Sequence, residues 1–567
     1  MEADARLESS LWVGSKRYLA LLTGWHFSWT EADKKGRHRN TVSVPVAEVI
    51  GVQEGRVEIL PHKSVEDTDK VFTVFYVKRS RGWGTDGLLW SLGRIQFSCP
   101  SRVLKTMWTD ALTTAVKTHS PLRPQRLLVF INPYGGKKKG REIYHSLVAP
   151  LFELAGISSH VIVTERANQA RDHLLKKHLT GFDGVVCVGG DGMFSEILHG
   201  VIGRTQQEAG VCENNPAATL KPCPLHIGII PAGSTDCVCH ATGGVTDPVT
   251  SALHIIIGDS QPLDVCSVHY GSGLVRYSVS LVGYGFYGDV LAESEKHRWM
   301  GPLRYDYSGA LVYLSNRSYS GTVQYLPADP LLSSPRDKTR CLSGCGVCAK
   351  STERLFPNSS DSGSLYSSFT EQLSTESEDE WVSVEGRFKA VSLTCMSSSC
   401  AKSPQGLSPS AHLADGTGDL ILVWDTHPLS FLRFLHRHTS TEDQFDLPFV
   451  EVHRVKGFRF CHTGTSEEDS LKECESQGDG TDGEVRAYLD SGGRNGSQQH
   501  LEQVSRNEEK TLTPFMCGLC CKKVPYASVW NCDGELLPFT DISCKIHGQL
   551  VRLYARGIED TAAISCS

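Results

Sequence analysis

Apolar and polar positions alternate over the first 120 residues. Short apolar stretches, separated by polar or glycine-containing turns, predict a small antiparallel barrel. A longer segment, Ser101–Thr118, has apolar residues at helical spacing and predicts a helix that closes the barrel. The predicted strands are Leu11–Val13, Arg17–Leu22, Val44–Ile50, Val71–Val77 and Arg94–Cys99, and the apolar positions of the helix are Val103, Met107, Trp108, Leu112 and Val116.

From Gln125 onward, apolar runs alternate with helical segments. The predicted helices are Arg141–Gly156 and Gln169–Leu179. This alternation is typical of a parallel sheet covered by helices, an α/β lobe. The predicted strands are Leu127–Ile131, Val161–Thr164, Gly184–Val188 and Ile227–Ile230.

After about Val265 the pattern returns to strands and predicts an antiparallel β lobe. Two stretches, Ser351–Glu380 and Thr463–Lys510, are rich in Ser, Gly, Glu and Asp and predict disordered insertions with candidate phosphorylation sites. We therefore divide the chain into domains at residues 1–120, 121–265 and 266–567. The predicted strands of the last domain are Tyr277–Val282, Gly321–Tyr325, Phe388–Thr394, Asp419–Trp424, Val450–Phe460 and Leu550–Tyr554.

Bulk composition narrows the functional classes. The chain has 567 residues, which is too long for one typical core, and its net charge of −7 provides no basic field for nucleic acid. The acidic first ten residues predict no secretory signal, and Glu2 excludes N-myristoylation. No apolar run is long enough to span a bilayer, so any membrane contact is expected to be peripheral. Without an export signal, the 20 cysteines indicate reduced thiols in the cytosol.

Three glycine-rich turns follow predicted parallel strands. They are Asn132-Pro133-Tyr134-Gly135-Gly136, Gly189-Gly190-Asp191-Gly192 and Pro231-Ala232-Gly233-Ser234-Thr235-Asp236. Turns at the carboxyl ends of parallel strands meet in one crevice, and glycine with helix N-termini suits phosphate. Arg141-Glu142 stands where a Walker A loop needs Lys-Ser/Thr, and dinucleotide and protein-kinase signatures are absent. The turns therefore favour another kind of phosphoryl transfer, with the carboxylate of Asp191 at the centre.

The first 120 residues resemble a pleckstrin-homology domain, whose final helix commonly carries one tryptophan, here Trp108. Its first strands and the loop joining them hold a group of basic residues. These suit either a phosphoinositide headgroup or a solvated surface, and the sequence leaves both interpretations open. The basic residues are Lys16, Arg17, Lys34, Lys35, Arg37 and Arg39.

The three turns, with Glu196 five residues after Asp191, resemble the diacylglycerol-kinase-type catalytic domain of lipid kinases. The block from Gly283 through Asp289 and His297 to Arg304 is similar to that of sphingosine and ceramide kinases. With the pleckstrin-like domain in front, the resemblance is closest to the ceramide kinase family. It implies an ATP-dependent enzyme that phosphorylates the primary hydroxyl of ceramide to ceramide 1-phosphate. Phosphoryl transfer from ATP needs charge neutralisation, usually by Mg²⁺, so we expect this metal as well.

The resemblance also implies roles for individual residues. Asp191 would be the general base, and Gly189, Gly190, Gly192 and Asp289 would lie on the substrate side. The metal ligands stay unassigned. Asp533-Gly534-Glu535 resembles an acidic turn that reaches the nucleotide, although Asp-Gly alone indicates an ordinary hairpin turn. The implied ATP-binding residues are Asn132, Pro133, Tyr134, Gly135, Gly136, Thr164, Glu196, Ser234, Arg298, Arg304, Asp533, Gly534 and Glu535.

One position departs from the sphingosine kinase pattern. Those enzymes have a second carboxylate two residues after the position of Asp289, where this chain has Leu291. Sphingosine carries a cationic amine, whereas the nitrogen of ceramide is a neutral amide. We hypothesise that Leu291 reflects an acylated substrate.

Two smaller signals stay open. Cys341, Cys345 and Cys348 form a tight thiol cluster, one ligand short of a structural zinc site unless another thiol, such as Cys395 or Cys400, joins it. Phe431–His438 is predicted to be an apolar and basic helix. It is a candidate calmodulin target or membrane-lying helix, although helices of this composition more often belong to the core.

The resemblance implies calcium–calmodulin responsiveness and peripheral association with Golgi and plasma membranes. The alternatives to ceramide phosphorylation are a sphingosine or diacylglycerol kinase and a non-catalytic lipid-binding adaptor.

Overall fold

The computed structural model describes residues 7–32, 38–55, 68–80, 88–136, 138–329, 333–357, 380–440, 442–463 and 527–560. These residues form two β-sheets with helices packed against them. No helix within the described ranges combines the length and the apolar character needed to cross a bilayer.

The first sheet is antiparallel and has the strand order β4-β3-β2-β1-β7-β6-β5, closed by helix α1, Arg102–His119. The predicted barrel with its closing helix is therefore confirmed. The prediction missed β3, and the predicted strand Val44–Ile50 spans the end of β4, a short turn and the start of β5. The strands are β1 Leu7–Val13, β2 Lys16–Leu22, β3 His26–Ala32, β4 His38–Pro45, β5 Val49–Glu54, β6 Val71–Ser80 and β7 Leu89–Ser98.

Helix α1 begins where the Ser101 side chain accepts a hydrogen bond from the N–H of Leu104. Trp108 and Leu112 are fully buried, as predicted, and the indole of Trp108 donates to Ser9 Oγ at 2.7 Å. Val103 and Met107 were predicted to face the core, but they are 71% and 50% exposed. The buried face also includes Thr109 and Lys105, whose ammonium group pairs with Glu54 at 2.7 Å.

The second sheet is mixed. Strands β9, β8, β10 and β11 are parallel in that order, and β21 continues the sheet parallel to β11 and antiparallel to β12 and β18. The predicted α/β and antiparallel lobes are confirmed, but they share one sheet through β21. The domain boundary at residue 265 falls inside β12, so the sheet does not break there. The strands are β8 Arg126–Ile131, β9 Ser158–Val163, β10 Gly184–Gly189, β11 His226–Pro231, β12 Ser260–Tyr270, β13 Gly273–Ser278, β14 Leu281–Gly285, β15 Tyr319–Pro327, β16 Val382–Thr394, β17 Gly418–Trp424, β18 Val450–His462, β19 Trp530–Cys532, β20 Glu535–Leu537 and β21 Ile542–Tyr554.

Ten further helices accompany this sheet within the described residues. A π-helical segment, Tyr144–Val148, joins α2 to α3. The predicted insertion at Ser351 is wrong at its start, because residues 351–355 end helix α10. Residues 358–379 and 464–526, which hold most of the two predicted insertions, lie outside the described residues. The helices are α2 Gly140–Ile143, α3 Ala149–Leu154, α4 Gln169–Lys176, α5 Asp191–Ala209, α6 Cys237–Gly243, α7 Pro248–Ile257, α8 Phe286–Lys296, α9 Leu303–Ser315, α10 Gly346–Leu355 and α11 Pro428–Arg437.

The N-terminal domain packs directly on the α/β lobe. Ile50, Phe75, Val77 and Trp90 share a hydrophobic core with residues of β8, α3 and α7. Gly51 lies so close that an added Cβ would be 2.6 Å from the carbonyl oxygen of Leu154. This contact is too tight for any larger residue.

Charged groups surround the same contact. Arg79 donates to Glu48 at 2.7 and 2.8 Å and to Glu559 at 3.0 and 3.3 Å. Arg556 donates to Glu48 at 2.7 Å, and the indole N–H of Trp90 donates to Glu559 at 3.0 Å. The last described turn of the chain is thereby fastened to the N-terminal domain.

Candidate active site

The carboxyl ends of β8, β10 and β11 lie side by side at one edge of the sheet. The N–H of Asn132 donates to the carbonyl of Val188 at 3.0 Å, and the N–H of Ala232 donates to the carbonyl of Gly189 at 3.1 Å. These hydrogen bonds extend the strand pairing into the turns. The structure thus brings the three predicted glycine turns together.

The first turn, after β8, is held by the side chain of Asn132. Its Oδ1 accepts hydrogen bonds from the N–H groups of Tyr134 at 2.9 Å and Gly135 at 3.1 Å. Helix α2 begins at Gly140, where an added Cβ would be 2.7 Å from the carbonyl oxygen of Asn132. The turn is therefore fixed at a helix N-terminus, which carries a partial positive charge.

Glycine is required where the turns touch each other. A Cβ added to Gly136, whose φ is +52°, would be 2.5 Å from the carbonyl oxygen of Ala232, and one on Gly190 would be 2.9 Å from Gly233 Cα. By contrast, a Cβ on Gly192 would meet nothing within 4 Å. The backbone at Gly192 is thus open to a ligand.

Asp191 is the first residue of α5 and faces the start of α6. Its carboxylate accepts hydrogen bonds from the N–H groups of Cys237 at 3.1 Å and Val238 at 3.0 Å. Burial raises the pKa of Asp191, and the hydrogen bonds from Val238 and Cys237 oppose that rise. A carboxylate held in this way is suited to accept a proton from an alcohol.

Asp236 lies beside Asp191, and the sequence prediction gave it no role. It has a left-handed backbone, with φ +51°, and its carboxylate accepts from the N–H of Gly233 at 3.0 Å. Burial, followed by the charge of Asp191, raises the pKa of Asp236 to about 6. Ser234, in the same turn, is exposed. Two neighbouring carboxylates therefore face the crevice, and the only signal in the sequence was the position of Asp236 at the end of the third turn.

Thr164 and Glu196 border the crevice but already have local partners. The buried Thr164 hydroxyl donates to the carbonyl of Ile131 at 3.2 Å, which joins the ends of β9 and β8. Burial raises the pKa of Glu196, while backbone hydrogen bonds from Asn168 and Ala170 at the start of α4 oppose it. Glu196 Oε2 is buried without a hydrogen-bond partner among the described residues.

The acidic turn near the C-terminus is a hairpin between β19 and β20. Gly534 has φ +86°, as the turn requires. Asp533 is occupied: its carboxylate accepts from the hydroxyl of Ser278 and from three backbone N–H groups at Val279, Ser280 and Leu281. Locally, Asp533-Gly534-Glu535 is therefore an ordinary hairpin turn, as the Asp-Gly pair alone indicates.

The same hairpin is nevertheless connected to helix α5. Arg276 donates to Glu535 Oε2 at 2.6 Å and to Ser195 Oγ at 3.0 Å. Ser195 lies on α5, four residues after Asp191. Arg276 and Ser195 were missed by the sequence prediction because no motif includes them together.

The two arginines that the resemblance assigns to phosphates share one acidic partner. Arg298 pairs with Glu295, and Arg304 pairs with the same carboxylate at 3.2 Å. Arg304 also donates to the hydroxyl of Tyr305 at 2.7 Å. In this structure their charges are directed toward Glu295.

Asp289 lies in the first turn of α8, within the β lobe. Its carboxylate accepts hydrogen bonds from the hydroxyls of Tyr319 and Ser528, the latter at 2.6 Å. Burial raises its pKa. Leu291, on the same helix, is 4% exposed. The carboxylate of Asp289 therefore lies among hydroxyl groups of the β lobe and not beside the glycine turns.

The two smaller signals have clear locations. Cys341, Cys345 and Cys348 lie together, and the fourth group beside them is His412. The other two candidate thiols have different neighbours: Cys395 adjoins Cys266, and the backbone of Cys400 pairs with Ser403.

In α11, Phe431 and Phe434 are buried in a hydrophobic cluster. This packing agrees with the prediction that α11 is a core helix.

Comparisons with known proteins cover nearly the whole chain. Residues 7–112 match the family model of the ceramide kinase PH domain, residues 126–268 that of the diacylglycerol kinase catalytic domain, and residues 352–488 that of the ceramide kinase C-terminal domain. A ceramide kinase from Homo sapiens is 45% identical, covering 98% of this chain and 97% of that protein. A ceramide kinase from Mus musculus is 44% identical, covering 99% of each. A solved structure of a putative diacylglycerol kinase from Bacillus anthracis str. Sterne has a TM-score of 0.45 at 11% identity, covering 76% of this chain and 96% of that one.

Proposed function

The chain belongs to the ceramide kinase family, and from this we propose that it transfers the γ-phosphate of ATP to the primary hydroxyl of ceramide, with Asp191 as the general base. The observation that carries the proposal is the position of Asp191. Its carboxylate lies at the meeting point of three glycine turns, oriented by the first N–H groups of α6.

Residues around the crevice support binding of the phosphate chain. The backbone of Gly136, the N-terminus of α2 and the open backbone at Gly192 offer N–H donors without side chains in the way. In phosphoryl transfer the protein mainly positions the reactants and neutralises charge. Arg298 and Arg304 would contribute that charge once phosphate replaces Glu295 as their partner.

Asp236 fits as one ligand of a divalent cation, which leaves Asp191 free to act as the base. The described partner of Asp236 is the backbone N–H of Gly233, and burial followed by the charge of Asp191 raises its pKa, so a cation beside it would relieve the repulsion. Mg²⁺ bound there would neutralise charge on the transferring phosphate. Asp533 does not fit as a ligand, because four donors already occupy its carboxylate.

An exposed apolar surface supports access from a membrane. Large apolar side chains project from α9 and the turn before it, and from α11, which α9 contacts through the hydrogen bond from Tyr313 to the carbonyl of Pro428. Ceramide resides in a bilayer, so we infer that this surface lies against lipid during catalysis. The residues are Trp299, Leu303, Tyr307, Leu311, Leu314, Leu429 and Leu432.

The PH domain is inferred to add a second membrane contact through anionic headgroups. Within the described residues, Lys16 pairs with Glu31 at 2.8 Å and Arg17 donates to Ser10 at 2.8 Å. Lys34, Lys35 and Arg37 lie outside the described residues, and the side chain of Arg39 is not described. Binding to phosphoinositide vesicles, compared with neutral vesicles, tests this contact.

Calcium–calmodulin regulation and residence on Golgi and plasma membranes stay predictions of the family resemblance. A calmodulin complex with α11 would require Phe431 and Phe434 to leave the core. Titration of the full chain with calcium-loaded calmodulin tests the first prediction, and imaging of the tagged full chain tests the second.

The proposed activity is tested by transfer of labelled γ-phosphate from Mg-ATP to ceramide, sphingosine and diacylglycerol in mixed micelles. We expect labelled ceramide, lost in Asp191→Asn and retained in Asp110→Asn, an exposed position with the same change of charge. Preferred labelling of sphingosine or diacylglycerol would overturn the substrate. Transfer to no lipid would favour a non-catalytic adaptor.

A further inference from the structure

A cluster of three thiols and one imidazole lies apart from the glycine turns. Cys345 is the N-cap of α10, Cys348 is in its first turn, and Cys341 precedes them in the adjoining loop. His412 comes from a different part of the chain, the loop before β17. The fold therefore supplies the fourth group that the thiol spacing lacks.

The distances between these groups suit tetrahedral coordination. Cys341 Sγ and Cys348 Sγ are 3.6 Å apart, Cys345 Sγ and His412 Nδ1 are 3.3 Å apart, and all four ligand atoms lie within 4.8 Å of one another. Zinc bonds of about 2.3 Å to sulfur and about 2.0 Å to nitrogen place tetrahedral ligands about 3.5–3.8 Å apart. A disulfide needs sulfurs at about 2.05 Å, so these thiols are not paired.

The surroundings also suit bound metal. The N–H of Leu413 donates to Cys341 Sγ at 3.5 Å, a contact that favours a thiolate. His412 is 1% exposed, and its Nε2 has no hydrogen-bond partner among the described residues. The ring is thus held with Nδ1 against Cys345 Sγ.

We propose that Cys341, Cys345, Cys348 and His412 Nδ1 bind one Zn²⁺ as a closed structural site. Three soft sulfur ligands and one imidazole select zinc over the oxygen-preferring Mg²⁺ and Ca²⁺. Each thiol that is protonated before binding releases its proton to solvent, and neither metal nor sulfur changes oxidation state. Four protein ligands leave no position for a reacting water.

The site joins the last described turn of the chain to the segment that packs against α6. Ser343, between two of the ligands, donates from its N–H to Ile558 and from its hydroxyl to Arg556, both carbonyls at 2.8 Å. The segment that carries His412 also includes Ser399, whose hydroxyl lies 3.1 Å from His240 Nδ1 and whose carbonyl accepts from Cys237 Sγ at 3.6 Å. Zinc would thereby hold the segment that packs against α6, the helix whose first N–H groups orient Asp191.

Metal content of the purified full-length protein tests the site. Elemental mass spectrometry is expected to find one zinc per chain in the wild type and a loss of that zinc in Cys345→Ser and His412→Ala. His412→Cys, which keeps a fourth soft ligand, is expected to retain zinc. Cys461→Ser, which removes an exposed thiol outside the cluster, is the matched control and is expected to retain it as well.

Cobalt gives a second readout that does not depend on the variants folding or on ceramide being the substrate. Replacement of zinc by Co²⁺ in the wild type is expected to give the thiolate-to-metal charge-transfer band and the visible bands of a tetrahedral site. Folded wild type without stoichiometric zinc or cobalt binding would overturn the proposal. Zinc content unchanged in folded Cys345→Ser and His412→Ala, or a Cys341–Cys348 disulfide in metal-free active protein, would also overturn it.

Discussion

The carboxylate of Asp191 accepts a hydrogen bond of 3.1 Å from the main-chain N–H of Cys237. The side chain at the start of α5 thus caps the start of α6 as well as facing the crevice. This dual position fixes the orientation of the carboxylate and withdraws it from water. Its protonation behaviour should therefore be visible in catalysis.

As the pH is lowered, the rate of phosphoryl transfer is predicted to fall. This fall should occur at a higher pH than it would if the base were an aspartate with the usual pKa. A general base must be ionised, and burial raises the pKa of Asp191 above its usual 3.8. kcat/KM for ceramide, measured between about pH 4 and pH 8, should lose activity as the pH falls through this raised pKa. Asp110→Asn should follow the wild-type profile; a profile flat down to the ordinary aspartate range would contradict the assignment.

Asp236→Asn is predicted to stabilise the folded protein at neutral pH. The folded-state pKa is raised to about 6 from 3.8, so the folded state binds the proton more tightly than the unfolded state. The contribution of this tighter proton binding to the stability of the fold is present below the ordinary pKa and is lost as the pH rises through about 6. Asparagine keeps the acceptor for the Gly233 N–H and tolerates the left-handed backbone.

Thermal unfolding at several pH values measures this effect. The variant should melt at a higher temperature than the wild type near pH 7, with the difference disappearing near pH 4. Asp110→Asn provides the control for loss of a negative charge. A difference of the same size at both pH values would contradict the role of ionisation.

Leu291→Asp is predicted to shift the preference from ceramide toward sphingosine. A carboxylate at this position supplies a partner for the cationic amine of sphingosine, whereas Leu291 does not. Because Leu291 is buried, the new charge should also lower the melting temperature. Competition between the two lipids is the measurement, with Leu291→Asn as the uncharged control; an unchanged ratio in folded protein would refute the hypothesis.

Removal of the Arg276 side chain is predicted to weaken the connection between the β19–β20 hairpin and α5. Arg276→Ala breaks the hydrogen bonds to Glu535 and Ser195, a loss of about 1 kcal/mol, because Glu535 is half exposed and solvent screens its pair with Arg276. Unfolding in denaturant measures the loss. In a double-mutant cycle with Glu535→Gln, the two changes should be less than additive, and full additivity would show that the pair is uncoupled.

Trp299→Ser is predicted to reduce binding to lipid vesicles without loss of folding. Trp299 is 83% exposed at the turn before α9, so its apolar surface is available to a bilayer. Co-sedimentation with ceramide-containing vesicles gives the bound fraction. Val103→Ser removes an exposed apolar side chain from the PH domain helix and should leave binding unchanged; an equal loss in both variants would indicate a nonspecific effect.

Local patterns predicted the elements and the turns well because each is encoded within a few residues. The glycine turns follow apolar runs that become β10 and β11, and Trp108 occupies the core as its spacing indicates. Val103 and Met107 are exposed, whereas Lys105 is buried on the face of α1 that carries Trp108 and Leu112. Its partner Glu54 lies 51 residues away, so no local pattern marks Lys105 as buried.

Contacts between distant segments could not be predicted. His412 joins a thiol group 67 residues earlier, and Arg276 meets a carboxylate 259 residues later. Neither residue has a neighbour in sequence that marks its role. The continuity of the second sheet was missed for the same reason, because β21 belongs to the last part of the chain yet pairs with β11.

The contact between the PH domain and the α/β lobe has a consequence for how the molecule meets a bilayer. Trp90 is buried, the guanidinium groups of Arg79 and Arg556 lie 4.8 and 5.0 Å from the centre of its ring, and Gly51 permits backbone contact with α3. The domain is thus a fixed part of the body rather than a module on a flexible tether. A headgroup held by it would restrict tilt and rotation of the whole enzyme, so that the membrane surface becomes the reference plane to which the crevice is aligned.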